Sequence, residues 1–286
     1  MMIQASDDYA NAPSEPFQSD ASTRISACLA AFIQTQLQAA QQQLARKGLA
    51  RHQGIHEARK CIRRTKAALA LGRRVFGERG LRLNAELGRI CRGLSPLRDA
   101  QALIEVLQRL HTSAAGSLQD ILPKAESAAR QRRHLMLDKA LAGDPKFKRR
   151  CLRLQRISER LQRLDWDSVI ENDVAAAVKR SERRLEKAGK RVMQCPDEDE
   201  RWHGYRRRLR RLRQQASLLS GMGVDIGLRA DAFKAQTDAL GEAQDDVLLI
   251  RLCGSRSPFA REHRRLLRKS ARQRLFNARG HWIPLH

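Results

Sequence analysis

The sequence lacks any run of about 18 apolar residues, the length a helix needs to cross a bilayer, so a membrane span is not expected and the cytoplasm is the expected location. It has no Cys-x-x-Cys pair and no Cys/His cluster at metal-ligand spacing. Cys28, Cys61, Cys91, Cys151, Cys195 and Cys253 are scattered, which argues against a structural metal and fits reduced, mostly buried thiols. His52, His111, His134, His263, His281 and His286 show no ligand spacing either and are expected as surface or capping residues. No cofactor is expected. Aromatic residues make up only 4% of 286 positions, too few for the stacking platforms that read single-stranded nucleic acid. Helix-turn-helix, zinc-finger and ribonucleoprotein signatures are missing, as is a Gly-rich phosphate loop. Acidic side chains are scarce as well: 31 Asp and Glu face 56 Lys and Arg, a net charge of +25.

Such self-repulsion has a use only if a polyanion relieves it. Hydrophobic residues reach 42%, which places the charge on a folded protein rather than a disordered polybasic tail. Residues 1–20, with Asp7, Asp8, Pro13, Glu15 and Pro16 and no hydrophobic periodicity, are expected as a flexible acidic leader. From Ala21 onward the chain is rich in Ala, Leu, Gln and Arg, with apolar residues at spacings of three and four, the pattern of an all-α protein. Gly/Pro clusters at 47–48, 77–80, 95–96, 116, 143–145, 194–199, 221–227 and 254–258 predict eight or nine helices.

One motif occurs twice. His56-Glu57-Ala58-Arg59-Lys60-Cys61-Ile62-Arg63-Arg64-Thr65-Lys66 and His203-Gly204-Tyr205-Arg206-Arg207-Arg208-Leu209-Arg210-Arg211-Leu212-Arg213 both read H-x-x-R-[KR]-x-x-R-R-x-[KR]. Leu94-Ser95-Pro96-Leu97-Arg98-Asp99 follows the first copy and Leu240-Gly241-Glu242-Ala243-Gln244-Asp245 the second, with His-to-Asp intervals of 43 and 42 residues. Two motifs in the same order at nearly the same separation imply two homologous helical halves, 21–143 and 144–279, before a short tail at 280–286.

On a helix turning about 100° per residue, His56, Arg59, Lys60, Arg63 and Lys66 share roughly one third of the circumference, and Arg74 returns to that line five turns on. Ala58, Cys61, Ile62, Thr65, Ala68 and Leu69 form the opposite, apolar arc. His203, Arg206, Arg207, Arg210 and Arg213 repeat the basic arc against Tyr205, Leu209, Leu212, Ala216 and Leu219. Arg64 and Arg211 match the motif but sit about 80° off the histidine line and rank second. A row of cations about 15 to 27 Å long suits a long chain of phosphates, each guanidinium forking onto two oxygens and each ammonium adding a point charge. A ligand without bases also needs no stacking platform. The histidines, with an ordinary pKa near 6.5, would donate when neutral or gain charge beside a polyanion, so binding is expected to tighten as pH falls from about 8 to 6. Asp99 and Asp245 are expected to align arginines or cap helices, not to catalyse. A single charge run on a helix is usually a solvated face; duplication of the histidine with its offsets argues against that here. Arg180, Arg183 and Arg184, on a further basic helix, are weaker candidates for the same surface, and Lys146, Lys148, Arg149 and Arg150 are expected only to solubilise a helix start.

These residues carry a family resemblance. Ile55-His56-x-x-Arg59-Lys60-x-x-Arg63-Arg64-x-Lys66-Ala67-Ala68-Leu69, Leu97-Arg98-Asp99, Pro145-x-Phe147 and His203-x-x-Arg206-Arg207-x-x-Arg210-Arg211-x-Arg213 resemble the CHAD domain, the conserved-histidine α-helical domain, over about 21–279. The resemblance implies two four-helix halves related by pseudo-twofold symmetry, with the basic helices lining a central groove or pore that binds inorganic polyphosphate, often on polyphosphate granules. The ligand-facing set it implies comprises the two basic arcs, with Arg64 and Arg211. Departures are Trp202 before the second histidine, a segment 215–219 without the usual Tyr and Glu, and Gln244-Asp245 in place of an Arg-Asp pair. No E-x-E-x-K strand motif of an attached triphosphatase is present. Three function classes follow: a polyphosphate binder with no turnover; a sequence-nonspecific nucleic-acid binder, disfavoured by the few aromatics; and a phosphohydrolase, disfavoured by the want of an evident metal site.

Overall fold

The computed structural model describes residues 17–112 and 115–280, with side chains from residue 25 onward. It is all-α: ten helices and, among the described residues, no strand. They are α1 (Phe17–Leu44), α2 (Ala50–Leu69), α3 (Arg73–Gly93), α4 (Ser95–His111), α5 (Ser117–Gly143), α6 (Lys148–Gln162), α7 (Glu171–Gln194), α8 (Asp199–Gly221), α9 (Lys234–Leu252) and α10 (Arg261–Gly280). A 3-10 turn, Pro145–Phe147, joins α5 to α6. The first helix begins at Phe17, ahead of the expected Ala21; the expected leader up to residue 16 and the tail 281–286, with His281 and His286, lie outside the described residues.

The Gly/Pro clusters locate most of the connections between helices, because glycine takes positive φ without a Cβ penalty: Gly48, in the turn before α2, and Gly116, at the start of α5, both sit at φ 57°. Two ends differ from expectation. Gly77, at φ 48° and ψ −135°, kinks α3 instead of ending it, and the break comes earlier, at residues 70–72. The break between α6 and α7 has neither Gly nor Pro. It is made by side chains: Asp165 accepts from the Ser168 backbone N–H at 3.3 Å and from its hydroxyl at 2.5 Å, and the Trp166 indole donates to the Leu161 carbonyl at 2.8 Å. That turn yields ten helices where eight or nine were expected, five on each side of residue 143 rather than four.

Each helix buries one stripe. In α1 it is Ile25, Leu29, Ile33, Leu37, Ala40 and Leu44; in α2, Ile55, Ala58, Ile62, Thr65 and Leu69; in α8, Tyr205, Leu209, Leu212, Ala216 and Leu219. These stripes meet in two cores that cut across the sequence halves. The larger draws on α1, α2 and α3 with α6, α7 and α8; the smaller, built around Leu103, Leu107, Leu122, Leu249 and Leu267, joins α4 and α5 to α9 and α10. Helices from both halves therefore share each core. Arg150, expected only as a solubilising residue, pairs with buried Asp144 at 2.6 Å and lies over the Phe147 ring at 5.2 Å, and Asp144 also accepts from the Arg149 N–H at 2.9 Å. This pins the start of α6.

Candidate anion-binding site

The motif helices α2 and α8 pack against each other, and α4 packs against α9. Between them lie two cavities. One, of about 510 Å³, is lined by His56, Arg59, Arg63 and Lys66 from α2 and by His203, Arg206, Arg207, Arg210 and Arg211 from α8. The other, of about 780 Å³, takes Lys60, Arg64 and Arg213. Arg63, Arg98, Arg206, Arg210, Gln214 and Asp245 line both, so the two spaces share one wall. All twelve residues of the two motif arcs border one cavity or the other. The helical-wheel arcs do not map onto single cavities: Arg211, off the histidine line, shares the first cavity with both histidines, whereas Lys60 and Arg213 line the second. The reason is that several helices wall each space, so an angle measured on one helix does not decide which space a side chain enters.

The lining of the first cavity carries ten cations against four carboxylates. Few ion pairs involve the walls of the two cavities: Arg98 with Glu105 at 2.9 Å, Arg109 with Asp245 at 3.1 Å and Asp199 with Arg279 at 2.5 Å, and, at the second cavity, Arg213 with Asp238 at 3.6 Å and Lys60 with Glu57 at 2.9 Å. Arg63, Lys66, Arg206, Arg207, Arg210 and Arg211 have no carboxylate within 4.0 Å and no hydrogen bond among the described residues. The Nε donors of Arg59, Arg63 and Arg206 and Nη1 of Arg98 are buried without an acceptor. Arg59 is held by its other end, donating to the Cys91 carbonyl and to Ser95 Oγ at 2.8 Å. Glycines admit two of the heads: a Cβ at Gly88 would stand 2.9 Å from Lys66 Nζ, and one at Gly241 would stand 2.8 Å from Arg206 Nη2.

Crowding shows in the proton affinities. Burial first, then Arg59, Arg206 and Arg98, pushes Arg63 down to about 10 against a lift from Cys91. Burial, then Arg63 and Arg206, drives Arg210 well below its ordinary value, and burial lowers Arg206, Arg211 and Lys66. Guanidinium groups stay charged at neutral pH regardless; the depression reflects burial first and the neighbouring cations second. Burial also raises Asp99 and Asp245, opposed by Arg59 and Arg98 at the first and by Arg98 and Arg109 at the second. Asp245 holds Arg109; Asp99, inside α4, neither caps a helix nor forms an ion pair within 4.0 Å among the described residues. His56 is pushed down to about 4 by burial and then Arg98, and burial lowers His203 while its bond to Gln244 opposes the shift. His56 is therefore neutral across pH 8 to 6 in the free protein, and the expected gain of charge there cannot come from His56 before a ligand arrives.

The weaker candidates separate. Arg74 is exposed and lies 3.9 Å from Asp173; Arg183 is exposed and lines neither cavity. Arg180 and Arg184 line a small pocket beside Arg211. The half-buried His52 is pushed down to about 4 by burial and then Arg133, unlike the surface residue expected. Sequence reasoning missed Arg92, Arg98, Arg251, Gln214 and Gln244. Arg98 and Gln244 stood within quoted motifs, but nothing in the spacing singled out Arg92 or Arg251. It also passed over Asp197-x-Asp199, whose Asp199 lines the first cavity and pairs with Arg279 at 2.5 Å. Among the described residues, no group of three His, Cys, Asp or Glu side chains is placed to hold a metal, and no helix is long and apolar enough to cross a membrane.

The CHAD domain pattern matches residues 31–254, most of the chain. The chain belongs to the CHAD domain family. Two solved structures share its fold. The CHAD domain from the plant Ricinus communis superposes with a TM-score of 0.64 at 20% identity, covering 95% of this chain and 99% of the plant one. PptA from Streptomyces chartreusis gives 0.63 at 19% identity, with 89% and 96% covered. No curated protein matches. This CHAD domain thus carries its twelve motif cations and histidines around two adjoining cavities, largely without counter-charge.

Proposed function

We propose that this CHAD domain binds inorganic polyphosphate in its two adjoining cavities without turning it over, and that it acts in the cytoplasm on polyphosphate granules. One observation carries the reading: Arg63, Lys66, Arg206, Arg207, Arg210 and Arg211 converge from two helices with no carboxylate within 4.0 Å. All but the exposed Arg207 are partly buried, cations withdrawn from water without partners are costly, and a chain carrying one negative charge per phosphate supplies counter-charge along the whole row while asking for no base recognition. The Asp side chains near the site lie among arginines, where they offset part of the positive charge.

The test is a titration with polyphosphate, single-stranded RNA and duplex DNA of matched charge at physiological salt, with orthophosphate release followed in parallel. Polyphosphate should bind at least tenfold tighter than either nucleic acid, release no orthophosphate, and lose at least a hundredfold in affinity on Arg63→Glu with Arg210→Glu. Equal or tighter binding of nucleic acid, or full affinity in the double variant, would overturn the reading.

A further inference from the structure

A third cavity, of about 50 Å³, opens between α3, α7 and α8 and is lined by Arg73, Arg180, Arg184 and Arg211 with Asn84, Ser181 and a floor that includes Leu69, Ala70, Gly80 and Ala177. Its lining holds four guanidinium groups and no carboxylate. None of the four forms an ion pair within 4.0 Å, and the Asn84 side chain makes no hydrogen bond among the described residues. Ser181 donates to the Ala177 carbonyl at 3.0 Å, which leaves its oxygen lone pairs free. Arg211 lines both this pocket and the first cavity, so the two are joined by one side chain. Burial first, then Arg184, Arg208 and Arg73, lowers the proton affinity of the Arg211 guanidinium.

Size and charge together select a ligand. The space admits roughly three or four waters, the bulk of a single phosphoryl group, whereas the neighbouring cavity of about 510 Å³ can hold several. A phosphate inside a chain carries one negative charge. A terminal phosphoryl has a second ionisation near pH 6 and carries about 1.5 to 2 negative charges at neutral pH. Four forked donors concentrated on a space for one group match the terminal unit, which offers three oxygens instead of two.

We propose that this pocket is a terminal-phosphate site: it captures the end of a phosphate chain whose body lies in the main cavities, with Arg211 spanning the junction. The assignment rests on the polyphosphate reading above. The same chemistry is offered by the 5′-phosphate of an oligonucleotide, and the experiment separates the two.

Binding is measured for short polyphosphate with free ends, for slightly longer polyphosphate of the same net charge with both ends blocked as esters, and for RNA with and without a 5′-phosphate. Wild-type protein should prefer free-ended chains about tenfold over blocked chains of matched net charge, and Arg180→Ala with Arg184→Ala should abolish that preference while leaving blocked chains unchanged. Removing two cations from another exposed face, Arg261→Ala with Arg265→Ala, should preserve the preference. Circular dichroism and a melting curve check that the variants fold, and Arg184→Gln alone, a milder change, should reduce the preference partially. Equal affinity of wild type for free and blocked chains, or an equal loss on both in the variant, would overturn the terminal site. A 5′-phosphate effect on RNA without an end effect on polyphosphate would overturn the assignment to polyphosphate. Arg63→Glu with Arg210→Glu should weaken free and blocked chains alike; if it weakens neither, the cavity reading fails, while the end preference still reports on the pocket.

Discussion

On the α2 side, Arg98 faces His56 and helps drive its proton off; on the α8 side the residue in the same place, Gln244, accepts a 2.9 Å hydrogen bond from Nδ1 of His203. The next pair of equivalents differs too. Ser95 Oγ accepts from Arg59 at 2.8 Å, whereas at Gly241 the absence of a side chain leaves room for Arg206. The first motif is thus tethered to its neighbours and surrounded by charge, while the second has looser arginines and a histidine fixed in one tautomer. A neutral His56, free of such a bond, can offer an N–H to a phosphate. His203 has its proton committed to Gln244, so its Nε2 can donate only after a second proton is taken up. The two motifs carry matched rows of charge; the residues facing them place the two histidines in different surroundings.

The strongest test of the equivalence lies in the core. Ile62 and Leu209 occupy matching positions, both fully buried in the larger core. Ile62→Ala and Leu209→Ala should each cost about 2 to 5 kcal/mol, read by chemical denaturation, with a single transition because both sides of the chain share that core. A biphasic curve for either variant would separate the halves. Next is an exchange of facing residues. Arg98→Gln removes the largest charge opposing a proton on His56, so the His56 pKa should rise in an NMR titration, and polyphosphate affinity should fall about three- to tenfold for loss of one charged hydrogen-bond donor. Gln244→Arg should shift His203 further down. Unchanged titration curves would show that the facing residues do not tune the histidines. The smallest effect separates the histidines by pH. A bound polyanion raises the pKa of a facing imidazole, and the protonated ring binds the anion better, so affinity rises as pH falls toward the pKa of the complex. His203→Asn should flatten that slope between about pH 7 and 5.5, and His56→Asn should lower affinity about twofold with the slope intact. A slope lost with His56 instead would reverse the comparison.

The helical class, most helix ends and the motif cations were legible in the sequence for local reasons. Apolar spacing of three and four reports a buried stripe, and glycine marks the connections because it takes positive φ without penalty. The turn at residues 163–170 was hidden because it is held by Asp165 and Trp166 side chains. The cavity partners were harder to see. Arg92 and Arg251 stand in unremarkable helical positions and become part of the site only because α3 and α9 close over α2 and α8.

The sequence by itself determined that this chain would be helical and that its charge would sit in two matched rows each begun by a histidine, and it made a polyanion the partner to expect, since periodicity and net charge are properties of the chain alone. Tertiary structure decided which cations share a space, which have no partner and which histidine keeps its proton committed. It also decided that the two cores would be built across the sequence halves. Those outcomes depend on distances between helices that are far apart in the chain, and no pattern along one helix contains them.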